Sequence, residues 1–143
     1  MEDSSPEAVA TAEKPTEFEA REQAIAELRT ALVREGGVTQ EQIDEWKVQY
    51  GQVAAFPMGD VIYFVRPLSR KEWRDFQQKR VEAQGNLMVD MDIEEEIAVR
   101  ACLHPKQNSL ATKTSGYAGL PTTISEAVSN LSGFMPGITP IIL

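Results

Sequence analysis

The densest run of potential ligands in the chain is Asp90, Asp92, Glu94, Glu95 and Glu96, five carboxylates within seven residues. Hard oxygen donors at that density suggest calcium, but an EF-hand loop needs a glycine at its sixth position and a bidentate glutamate at its twelfth, and this run has neither. It reads better as the solvated start of a helix, where negative side chains complement the positive end of the helix dipole. Cys102 and His104, the only cysteine and the only histidine, stand two residues apart and ahead of Pro105. A zinc site takes three or four ligands, so this pair is half a site, and a structural histidine at a helix end is the expected role. Ser115-Gly116-Tyr117-Ala118-Gly119 has the glycines of a phosphate loop without its lysine and without a preceding strand. No Ser-His-Asp set stands at convincing spacing. The chemistry therefore predicts a protein that is not an enzyme, with no metal and no cofactor.

The elements around these residues are more clearly written. From Gly51 to Gly85 the chain reads as a β-hairpin running into a capped amphipathic helix. Val61, Tyr63 and Val65 fall on one face of a strand and Ile62 and Phe64 on the other, so the strand is expected to be covered on both sides. Pro57-Met58-Gly59-Asp60 supplies the turn after the run Val53 to Phe56, and Arg66-Pro67 stops the sheet because proline has no N–H to donate. Ser69 and Glu72 have capping-box spacing, with Leu68 and Trp73 placed as a hydrophobic staple, which predicts a helix over 70–84. Thr16 and Glu19 form a second capping box and open a helix over 17–35. Along it Phe18, Ile25, Leu28 and Leu32 keep heptad spacing, with Arg21 breaking the stripe; the stripe either docks on its own domain or is offered to a partner. Thr39 and Gln42 start a short helix over 40–50 that lines up Ile43, Trp46 and Tyr50 as core. Asp90 or Asp92 caps a helix over 91–104 with Ile93, Ile97 and Ala101 on its apolar face, widened by Val99 and Leu103 and ended by Pro105. A last helix over 121–132 opens on Pro121 and carries Ile124, Val128 and Leu131.

The predicted fold is α+β, a mostly helical single domain over 16–134 with one hairpin over 52–66, a disordered acidic tail over 1–15 and an apolar tail over 135–143. The ending Phe134 to Leu143 holds no charge, and two prolines and a glycine forbid a regular helix there. Left bare it would aggregate, so it is packed on its own domain or on a partner. At 143 residues the chain is long enough to bury roughly two-thirds of its unfolded surface. Its apolar runs are far short of the ~20 residues that cross a bilayer, and the first 17 residues are acidic and polar, so neither a membrane span nor a signal peptide is expected. A single cysteine suits a reducing cytoplasm.

The net charge of −8 is unevenly spread. Residues 1–45 hold twelve acidic and four basic residues, whereas 46–143 hold ten of each. This sign opposes that of a duplex binder, which makes nucleic acid a disfavoured partner. The exception is local: Arg66, Arg70, Lys71, Arg74, Lys79 and Arg80 crowd around the helix after the hairpin. They form a solvated helix face, a protein-binding patch or a nucleic-acid contact.

Trp46, Lys47, Tyr50 and Gly51, then Arg66-Pro67-Leu68, then Cys102 to Pro105, then Ala118 to Pro121 with Ser132, Gly133 and Phe134 follow one another in an order that resembles the small tail-assembly chaperone and baseplate-hub assembly proteins of contractile-tailed bacteriophages. The matched region covers roughly 43–134, and the N-terminal helix and the apolar ending lie outside it. The resemblance implies a non-enzymatic viral protein that helps build the tail or its baseplate hub through protein–protein contacts, in the cytoplasm of an infected bacterium or lodged in the tail. The implied partners are other tail or baseplate proteins, and self-association is left open. The alternatives are a permanent virion component of the tail, baseplate or neck, and a nucleic-acid-associated factor using the basic helix over 70–80. The residues expected to meet a partner are Phe18, Ile25, Leu28 and Leu32 on the first helix, Arg70, Lys71 and Arg74 on the basic one, and Phe134, Met135, Ile138, Ile141, Ile142 and Leu143 in the ending.

Overall fold

The computed structural model describes residues 14–108, 117–133 and 140–143. These form five helices and four strands: α1 Glu17–Glu35, α2 Gln40–Tyr50, β1 Ala54–Met58, β2 Val61–Val65, α3 Arg70–Ala83, α4 Leu87–Ala101, β3 Cys102–His104, α5 Leu120–Leu131 and β4 Ile141–Ile142. The chain is thus a single small mixed domain, as the sequence predicts. Residues 1–13, and Phe134, Met135 and Ile138 of the ending, lie outside the described residues.

The strands join in one antiparallel sheet in the order β3-β2-β1-β4, so the expected hairpin is the centre of something larger. Its turn is tighter than the sequence suggests, because Pro57 and Met58 still belong to β1 and only Gly59 and Asp60 connect the strands. Gly59 has φ +63, a conformation that a side chain resists. Pro57 is tolerated inside the strand for a geometric reason. A two-residue loop makes Met58 and Val61 a hydrogen-bonded pair, and alternation then turns the backbone of Pro57 away from β2. The missing N–H falls on the outer edge, where β4 pairs only with Ala54 and Ala55 and Leu143 N–H donates to the Val53 carbonyl at 3.0 Å.

Strand alternation divides the core in two. Ala54, Phe56, Tyr63, Val65 and Cys102 face α3, α4 and α5, whose Phe76, Ile93, Ile97, Ile124 and Val128 complete one cluster. Val53, Ala55, Phe64 and Leu103 face the other way, onto Leu32 and Val33 of α1 and Ile43 of α2. The sheet is therefore sandwiched between α1 with α2 and α3 with α4 and α5. Tyr63 and Val65 against Ile62 and Phe64 occupy the opposite faces that the sequence assigns them, but Val61, at the hairpin tip, is exposed. Gly36 lies so close to the Phe64 ring that a β-carbon there would collide with it.

The helix expected over 91–104 is shifted. It begins at Leu87, where the Asn86 side chain accepts from the N–H groups of Met88 and Val89, and it ends at Ala101. Neither Asp90 nor Asp92 caps it. Cys102 to His104 instead extends along β2. Cys102 enters one cluster and Leu103 the other, a two-residue period that a helix cannot satisfy.

Candidate interaction surface

Arg66 leaves the sheet at the end of β2 and ties both layers together. Its guanidinium donates to both carboxylate oxygens of Glu72 at 3.0 Å, and also to the carbonyls of Pro67 and Arg100. It lies 5.0 Å from the centre of the Tyr50 ring, so one side chain joins α2, β2, the start of α3 and the end of α4. Glu72 also accepts from the Ser69 N–H, while the Ser69 hydroxyl accepts from the Glu72 N–H, completing the capping box. The Arg66 hydrogen bonds hold the Glu72 carboxyl down to about 2. Leu68 is buried and its N–H donates to the Ser132 hydroxyl at 2.9 Å, which stitches the end of α5 to the start of α3. Trp73 is only half-buried against the same cluster.

Most residues that carry the phage resemblance thus have structural duties: Trp46 rests on Phe64 at 6.2 Å, Tyr50 under Arg66, and Leu103 and Leu120 in the core. The candidate chemistry is absorbed in the same way. Burial pushes the Cys102 thiol up to about 12, and its sulfur points at the Pro105 carbonyl 3.3 Å away, so the reactive thiolate is suppressed. The His104 ring packs on Phe64. Within the acidic run, Glu94 accepts from the Thr122 hydroxyl and Glu96 takes Lys79 and Arg100. Among the described residues no group of three or more His, Cys, Asp or Glu is placed to hold a metal ion. Ser115 and Gly116 lie outside the described residues. No helix of the described residues is long and apolar enough to cross a membrane.

The surfaces left are of three kinds. On α1 the heptad stripe divides: Leu32 is buried and Ile25 half-buried, whereas Leu28 is 43% and Phe18 67% exposed. The helix docks by its last turns and presents its first. On α3, Arg70, Lys71 and Arg74 are exposed and line a groove of about 520 Å³ with Asp75 and Gln78. No ion pair engages these three cations among the described residues, although Arg66, Lys79 and Arg100 are all paired. The third surface escaped the sequence reading: Leu87, Met88 and Met91 open α4 with exposures of 70%, 66% and 47%. Taking 85–90 for a connection hid it, because an apolar first turn facing solvent has no amphipathic signature.

The described C-terminal residues pack on their own domain. Ile141 and Leu143 pack on the second cluster, β4 is hydrogen-bonded to β1, and the Arg29 Nε donates to the Ile142 carbonyl at 2.8 Å. Of residues 140–143 Ile142 alone, 48% exposed, faces outward. Residues 141–143 thus close the chain's own sheet, which is one of the two roles the sequence left open for the ending. Compared with known proteins, the chain matches no family model, no curated protein and no solved structure.

Proposed function

We propose that the chain is a non-enzymatic assembly protein of a contractile-tailed bacteriophage, working through protein–protein contacts in the cytoplasm of the infected host. The observation that carries the contact is α1, which anchors Leu32 and Val33 in the core while holding Phe18 and Leu28 out in solvent. Apolar side chains kept exposed along a helix whose own end is docked suit a partner groove that reads an amphipathic helix. The phage context rests on the ordered resemblance over roughly 43–134.

The test pairs genetics with particle analysis. A Phe18→Glu/Leu28→Glu variant should fold normally, since both residues are exposed, yet lower the yield of completed tails seen by electron microscopy. Quantitative mass spectrometry of purified particles beside the lysate should find the protein abundant in lysate and missing from particles. Stoichiometric presence in particles would make it a permanent component, and unchanged tail yield from a deletion would contradict the assembly role altogether.

A further inference from the structure

The starts of α1 and α3 carry exposed charge of opposite sign. The α1 start, with Glu17, Glu19 and Glu22 against Arg21, lies in one helical layer, and Arg70, Lys71 and Arg74 lie in the other. The three cations stand in the first turns of α3, where they oppose the helix dipole, and Glu72 beside them is already spent on Arg66 and the cap. The sheet separates the cluster that anchors the end of α1 from the cluster that α3 enters.

We propose that the first two turns of α1 dock in the Arg70–Lys71–Arg74 groove of a second copy of this chain, giving salt-sensitive head-to-tail self-association. Glu17 and Glu22 supply carboxylates to the guanidinium and ammonium groups, and Phe18, exposed between them, offers a ring face on which Arg70 or Arg74 stacks. A two-fold contact through either surface alone would set like charges against each other, so complementarity selects the heterologous arrangement. Such a contact needs no phage component, and it would compete with a client for Phe18 while leaving Leu28 available.

Sedimentation equilibrium of the purified full chain tests it. The average mass should rise with protein concentration at low ionic strength and return to the monomer at roughly 0.5 M salt, where exposed charges are screened within a few ångströms. Arg70→Glu/Lys71→Glu/Arg74→Glu and, separately, Glu17→Lys/Glu22→Lys should each weaken association about tenfold or more. All five side chains are exposed, so unchanged circular dichroism is expected of both variants. Mixing the two reversed variants should restore association, because an acidic groove then meets a basic arm. A wild-type chain that stays monomeric at low salt, or association that survives either variant, overturns the proposal. So does a monomer retained on nucleic acid through Arg70, Lys71 and Arg74, which would assign the groove to phosphate. Because the assay contains only this protein, its failure leaves the tail-assembly reading to be judged by tail yield.

Discussion

The starts of α1 and α3 are built from the same local chemistry and meet opposite fates. Each has a capping box, Thr16 with Glu19 and Ser69 with Glu72, in which side chain and backbone satisfy one another. At α3 the box is one corner of a network: Glu72 is held by Arg66, Leu68 is buried, and Ser132 reaches over from α5. At α1, among the described residues, the box stands alone, with Phe18 in solvent and burial beginning in earnest only at Leu32. A cap thus decides where a helix begins, and long-range partners decide whether that beginning belongs to the core or to the surface.

Substitutions should separate the two starts in proportion to these partners. The largest effect is expected for Arg66→Ala, which strips Glu72 of both hydrogen bonds in a mostly buried setting; chemical denaturation should show a loss of about 2–3 kcal/mol. Trp73→Ala should cost about 1–2 kcal/mol, below the roughly 3–5 of a fully buried tryptophan, because the side chain is only partly buried. The caps sharpen the comparison. Ser69→Ala should cost about 1 kcal/mol of global stability, and Thr16→Ala less than about 0.5, since fraying the first turns of α1 leaves the core closed. Phe18→Ser should fall within about 0.5 kcal/mol of the wild type. Equal losses at Ser69 and Thr16 would erase the distinction.

Glu72 adds a pH dependence. Its folded carboxyl titrates near 2 against an ordinary value of 4.5, so its contribution is fully present above the ordinary value and is lost as the pH falls from about 4.5 towards 2. Glu72→Gln should flatten that part of the stability profile measured by thermal melts. A profile of unchanged slope would mean that the Arg66 pair does not form in solution.

What could be read in advance follows from the same contrast. Three of the helix starts were legible because Thr16, Thr39 and Ser69 write them within four residues, and the two-sided strand was legible because Tyr63 and Val65 alternate with Ile62 and Phe64. Pairing across long sequence distance was not. Nothing local says that Ile141 and Ile142 will lie beside Ala54 and Ala55, or that Cys102 to His104 will leave a helical stripe to join β2. The surfaces divided likewise: the basic cluster at Arg70, Lys71 and Arg74 was visible as a run, while the exposure of Leu87, Met88 and Met91 depended on a helix start that Asn86, not an aspartate, supplies.

The claim that α1 is a docked anchor with a free first half is tested most directly by native-state hydrogen exchange of the monomer, held at low concentration and high salt. Amides of α3 from Trp73 onward, the first whose N–H bonds back to the Ser69 carbonyl, should exchange near the free energy of global unfolding, and those of 20–28 in α1 should open locally, at a small fraction of it. Equal protection in the two segments would contradict the account, because it would place the start of α1 in the same cooperative unit as the core.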